Sequence, residues 1–156
     1  MTVSVFGISF HTAPVALREQ ASVSASEVPA TLQRLRAEFP KAELVLVSTC
    51  NRTEIYTTGM DADADKYRLI GMLLKGKASL HPAEIEKHFY VKNGLEAAEH
   101  LLAVTASLDA MVVGETEILG QVKQALGLAE GAQTVGKGLH PLFQNAFRVA
   151  KRVHTE

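Results

Sequence analysis

Glu43-Leu44-Val45-Leu46-Val47-Ser48-Thr49-Cys50-Asn51-Arg52-Thr53-Glu54-Ile55-Tyr56-Thr57-Thr58 is the stretch on which the fold turns. Leu44 to Val47 is an unbroken apolar run of strand length, which suits a strand buried on both faces. Thr53 to Thr58 is rich in β-branched and aromatic residues and reads as a second strand. Only a short polar loop around Cys50 separates the two, so antiparallel pairing is the simplest arrangement. Cys50 therefore falls at a strand end, among Thr49, Asn51 and Arg52.

Working outward, Val3 to Ser9 predicts a first strand, and His11-Thr12-Ala13-Pro14 turns the chain. Ser24-Ala25-Ser26-Glu27 fits a capping box. Behind it Val28, Leu32, Leu35 and Phe39 form one apolar helical stripe that ends near Pro40. Beyond the Cys50 loop, Asp63 to Leu74 predicts a helix with acidic residues in its first turn and Tyr67, Ile70, Leu73 and Leu74 on one side. Pro82 opens a further helical turn to Lys87, and His88 to Val91 reads as a last strand. The order is βαββαβ, the pattern of a ferredoxin-like antiparallel sheet with helices on one face. After Gly94 the pattern turns helical over Leu95 to Ser107, Glu115 to Gly131 and Val135 to His154. The expectation is an α+β domain, residues 1–156, made of an α+β lobe (1–93) and a helical lobe (94–156).

The 156 residues, 47% of them hydrophobic, are enough for one buried core. A mean hydropathy of +0.07 is spread over dispersed Leu, Val and Ala, with no apolar run near membrane-spanning length. Met1 to Gly7 lacks the pattern of a secretory signal, and with a single cysteine this favours a cytoplasmic protein. The net charge of −1 creates no global field for nucleic acid. The segment Gln121 to Glu156 carries +3, which fits a solvated helix face or an RNA-facing surface.

A lone cysteine forms no intramolecular disulfide. Position alone favours a small core residue, since free cysteine is among the most buried residue types. Its polar company argues instead for a nucleophile at a substrate site. Arg52, two residues on, shares a face with Cys50 if the backbone is extended, and its guanidinium can stabilise a thiolate or clamp a carboxylate. A surface ion pair with Glu54 is the plainer alternative. His100 would carry protons only if its helix lies against the Cys50 loop, and is otherwise an interface histidine. Glu115, Glu117 and Gln121 form a second group, which helix capping and solvation explain almost as well.

No glycine-rich phosphate loop is present, because Gly136-Lys137-Gly138 lacks a third glycine and a preceding strand. Metal spacing is equally absent: Cys50 has no cysteine partner, and no two of the six histidines flank a glutamate at i, i+4.

Gly7-Ile8-Ser9-Phe10-His11-Thr12-Ala13-Pro14, Ser48-Thr49-Cys50-Asn51-Arg52-Thr53-Glu54 and Leu108-Asp109-Ala110-Met111-Val112-Val113-Gly114-Glu115-Thr116-Glu117-Ile118-Leu119-Gly120-Gln121-Val122 together resemble the glutamyl-tRNA reductase family. The likeness extends through Ala150-Lys151-Arg152-Val153 and corresponds to the N-terminal catalytic domain. It implies an oxidoreductase of tetrapyrrole (porphyrin, haem) biosynthesis that turns glutamyl-tRNA(Glu) into glutamate-1-semialdehyde through a Cys50 thioester, the first committed step of the C5 pathway. Thr49, Asn51 and Arg52 would then line the glutamyl pocket, with Arg52 on the substrate carboxylate. His100 would assist the reaction, Gln121 would touch substrate, and Ala110, Glu115, Thr116 and Glu117 would form a further contact segment. Three positions depart from the family: Ala110 replaces serine, Thr116 proline and Glu117 glutamine.

The resemblance also implies NADPH as reductant, bound in a domain that would follow Glu156 along a connecting helix, and then a dimerisation domain giving a homodimer. Handover of the semialdehyde to glutamate-1-semialdehyde aminomutase belongs to the same picture. Two other readings stand beside it. One is a cysteine-dependent thiol ester hydrolase or acyltransferase using Cys50 and His100; the other is a non-catalytic ferredoxin-like RNA-binding module.

Overall fold

The computed structural model describes residues 2–74, 81–109 and 117–155. In order, the elements are β1 (Ser4–Ser9), α1 (Val15–Ala21), α2 (Val28–Glu38), β2 (Glu43–Ser48), β3 (Arg52–Thr58), α3 (Ala62–Leu74), α4 (Pro82–His88), β4 (Tyr90–Asn93), α5 (Leu95–Thr105), α6 (Glu117–Ala132) and α7 (Leu139–Thr155). The β2–β3 hairpin pairs Ser48 with Thr53 and Glu43 with Thr58. Leu44 to Val47 are each no more than 1% exposed, as an unalternating apolar strand requires.

The strands form one antiparallel sheet in the order β2-β3-β1-β4. Each crossover thus skips a strand, with β3 lying between β1 and β2 and β1 between β3 and β4. This is the ferredoxin-like arrangement expected from the sequence. Residues at alternate positions of β3 divide the helices between two faces. Thr53 and its partner Ser48 share one face, where the Ser48 hydroxyl accepts from the Val23 amide between α1 and α2. Glu54 and Tyr56 lie on the other, against His100 of α5 and Phe143 of α7. The second lobe therefore covers the face that the first leaves open, and every residue of β1 and β3 is buried.

Several local expectations change. The first crossover holds two helices. α1, with Leu17 and Ala21 buried four residues apart, spans seven residues, too few for its periodicity to stand out in sequence. Ser24 does not cap α2 through a main-chain amide: its hydroxyl donates to the Glu27 carboxylate at 2.9 Å, and α2 starts at Val28 with Pro29 in its first turn. The apolar stripe of α2 is buried as read, but Tyr67 of α3 is exposed and its hydroxyl donates to Glu86. His88 ends α4, so β4 begins two residues later than expected. The last helix begins at Leu139 instead of Val135, because the intervening amides are drawn to a side chain: Glu43 accepts from Gly136, Gly138 and Leu139 at 2.6, 3.0 and 3.0 Å. A carboxylate from β2 thereby meets the positive end of α7. No helix among the described residues is long and apolar enough to cross a membrane.

Candidate active site

The tip of the β2–β3 hairpin is three residues, Thr49, Cys50 and Asn51, closed by the Thr49 amide donating to the Arg52 carbonyl at 2.8 Å. Three further bonds fix its shape. Asn51 N donates to Thr49 Oγ1 at 3.2 Å, Phe10 N to the Asn51 carbonyl at 2.9 Å, and Arg18 Nη1 to the Cys50 carbonyl at 3.1 Å. With its backbone held in this way, Cys50 presents its side chain to solvent. The core reading of this residue is thereby excluded, because an exposed thiol contributes little packing.

Arg52 is the opposite case, 3% exposed although it begins a strand. Its Nη1 donates to Asp109 Oδ2 at 3.1 Å and lies 3.5 Å from Glu54 Oε2, while Nη2 donates to the Asp109 main-chain carbonyl. Burial by itself would lower its proton affinity; the carboxylate of Glu54, with Tyr90 and Asp109, raises it above the ordinary value. The pair with Glu54 is thus real but buried, not the surface pair that sequence allowed.

Glu54 is wholly buried and holds together a larger network. It accepts from Tyr56 Oη at 3.0 Å and from the Tyr90 hydroxyl, and it is bonded to His100 Nε2. Burial would raise its pKa, yet the His100 hydrogen bond, the charges of His100 and Arg52 and the Tyr90 hydroxyl hold it below the usual carboxylate range. Burial and the Glu54 charge push the Tyr56 and Tyr90 hydroxyls up, so both remain donors. Gly7 makes the network possible: it pairs with Glu54 on one side and Tyr90 on the other. A Cβ there would stand 2.2 Å from the Thr53 carbonyl oxygen and 3.1 Å from Glu54 Cγ.

A cavity of about 90 Å³ opens beside the hairpin tip. Thr49, Cys50, Asn51, Arg52, Glu117 and Gln121 line it, six of the residues singled out in sequence, together with Asp109. The fold thus brings the start of α6 to a loop more than sixty residues away. His100 is not among the lining residues; it joins the site through Glu54, two residues along β3 from Arg52. Ala110, Glu115 and Thr116 lie outside the described residues. The sequence offers Glu54 only as a surface partner of Arg52, and gives Tyr90 and Asp109 no part in the site. An acidic residue two places beyond Arg52 in a strand was the available signal for Glu54; Asp109, which also meets His11 Nε2 at 3.0 Å, had none.

Residues 6–156 match the family described as glutamyl-tRNAGlu reductase, N-terminal domain. The chain belongs to this family. It is 46% identical over its whole length to a glutamyl-tRNA reductase of Idiomarina loihiensis and 42% identical to one of Rhodopirellula baltica, spanning 36% and 37% of those proteins. It is also similar to the solved glutamyl-tRNA reductase from Methanopyrus kandleri, with a TM-score of 0.79 and 32% identity, covering 99% of this chain and 34% of that one. The chain thus spans about a third of the relatives it matches. The reductase family implies a dinucleotide cofactor, and the described residues do not fit one. The Gly136, Gly138 and Leu139 amides, the natural anion-binding candidates, already hold Glu43.

Proposed function

We propose that this domain performs the acyl-transfer half of glutamyl-tRNA reduction. Cys50 Sγ attacks the ester carbonyl that joins glutamate to the tRNA 3′ end; the C–S bond forms, the C–O bond to ribose breaks, and the thiol proton ends on the departing ribose oxygen. Glutamate remains on the protein as a thioester, which is less resonance-stabilised than an ester and accepts hydride more readily. Reduction by NADPH, homodimer formation and delivery of the semialdehyde to an aminomutase are assigned to the complete enzyme, beyond the third of the relatives that this chain covers.

The observation that carries this reading is an exposed thiol and a buried guanidinium on one small cavity. Arg52 takes the side-chain carboxylate of the glutamyl group as a bidentate partner. Asp109 and Glu117 supply the negative charge that its α-ammonium needs, which gives the family's neutral glutamine position a function as a carboxylate. Thr49, Asn51 and Gln121 offer neutral hydrogen bonds around the acyl group. His100 acts at second hand, holding Glu54 so that Glu54 holds Arg52.

Intact-mass analysis after brief mixing with glutamyl-tRNA tests the proposal. A glutamyl adduct on the wild-type chain, lost in Cys50→Ser, is expected; absence of any adduct under conditions that preserve thioesters overturns it. Hydroxylamine should release the adduct, as it does thioesters.

A further inference from the structure

We infer that a second cavity touching Cys50 seats the terminal ribonucleotide of the tRNA, the leaving group of the acyl transfer. The inference rests on the thioester reading above. This cavity, about 630 Å³, shares only Thr49 and Cys50 with the Arg52 cavity; the rest of its wall comes from α1, the link to α2 and the end of β2.

The carbonyl carbon attacked by Sγ carries two branches, the glutamyl chain and the ribose oxygen. Once the glutamyl branch runs to Arg52, the ribose branch must leave Cys50 by another route, and this groove supplies one. Size separates the two spaces in the same sense: about 90 Å³ suits a single amino-acid side chain, whereas 630 Å³ is in the range of cavities that bury a drug-sized ligand. The wall chemistry fits a nucleotide. Ser22, Ser24 and Thr49 bring hydroxyls that donate to or accept from ribose, and Val15, 57% exposed, offers an apolar surface to a base. Arg18 stands in the wall, pinned by donating to the Ala13 and Cys50 carbonyls at 3.2 and 3.1 Å, so its charge is held beside the hairpin tip for a phosphate. Glu19 is the one carboxylate of the lining and disfavours a longer run of phosphates, which limits the groove to the chain's end.

The test compares Cys50 acylation by glutamyl-tRNA with acylation by glutamate α-ethyl ester, which has the same acyl group and a leaving group too small to fill the groove. Ser22→Trp and Ser24→Trp, at two exposed positions, should each lower the ratio of kcat/KM for tRNA over the ethyl ester by about tenfold or more. Arg18→Gln should lower the same ratio and flatten the salt dependence of the tRNA reaction. An unchanged ratio in both Trp variants overturns the proposal. Equal loss with both substrates also overturns it, since the groove would then act only on the hairpin. If the wild-type chain is acylated by neither substrate, the thioester reading itself fails.

Discussion

Arg52 Nη1 donates to Asp109 Oδ2 at 3.1 Å, joining the start of β3 to the segment after α5 across 57 residues of sequence. The guanidinium is 3% exposed and Asp109 30%, so the contact sits at the mouth of the Arg52 cavity with its anionic side toward solvent. In the acyl transfer proposed above, a substrate carboxylate reaching Arg52 would take the place of the Asp109 oxygen. Glu54, on the buried side, 3.5 Å from Nη1, raises the proton affinity of Arg52.

Asp109 should therefore set selectivity for the free α-ammonium. Asp109→Asn is expected to reduce kcat/KM for glutamyl-tRNA by roughly 10- to 100-fold, the range for a charged hydrogen bond of about 1.5–3 kcal/mol, mainly through KM. Acylation by N-acetylglutamyl-tRNA, which has no ammonium, should change little. Equal losses with both substrates would assign Asp109 to holding Arg52 alone.

Glu54 carries the greater structural load. Glu54→Leu leaves Arg52 buried without its inner partner and should cost about 3–5 kcal/mol, read as a lower denaturant midpoint. In the wild type its folded pKa lies below the ordinary 4.5, so its contribution is complete above the unfolded carboxylate's value and is lost as pH falls through the lower folded one. Thermal melts should show a stability loss below about pH 4.5 that is smaller in Glu54→Gln.

What sequence made legible follows from what each residue interacts with. The hairpin, the strand order and the buried stripe of α2 rest on local patterns, since Leu44 to Val47 and Val28, Leu32, Leu35 and Phe39 declare burial by residue type and spacing. α1 was too short for a period. α7 starts at Leu139, four residues beyond the start that periodicity predicts, because Glu43, more than ninety residues earlier, takes the amides that would otherwise continue the helix. The candidate site divides in the same way. Cys50 and Arg52 stand out as polar residues at a strand end, whereas Asp109 and the Glu54–His100 link depend on contacts across 57 and 46 residues that no local pattern encodes.

Gly7 is the position where the sheet tolerates least. An added Cβ meets main-chain atoms of β3, the Thr53 oxygen at 2.2 Å and Glu54 Cα at 2.8 Å, and neither can move without opening the β1–β3 ladder. Gly7→Ala should lose about 3 kcal/mol, at the upper end for overpacking. In the same variant Cys50 acylation should slow beyond what the unfolded fraction explains, because Glu54 is displaced from Arg52. Normal acylation per folded molecule would separate the packing at Gly7 from the alignment of Arg52.

Glu43 offers a control away from the site. Its carboxylate accepts three amides at the start of α7 and the Thr58 hydroxyl at 2.9 Å. Partial burial works to raise its pKa, but the amides of Leu139, Gly136 and Gly138 and the Thr58 hydroxyl outweigh it and lower the value below 4.5. Its stabilisation is therefore present above the unfolded carboxylate's pKa and fades as pH falls through the folded one. Glu43→Ala should cost about 1–2 kcal/mol near neutral pH, as loss of a charged helix cap does. At a pH well below 4.5 the gap between wild type and variant should narrow, because protonation removes the charge that the variant lacks. Parallel denaturant titrations at the two pH values measure this, and a gap of constant size would show that Glu43 acts through packing and not through its charge. Rates of Cys50 acylation at neutral pH should be the same in both proteins, since the carboxylate that caps α7 lines neither cavity at the hairpin tip.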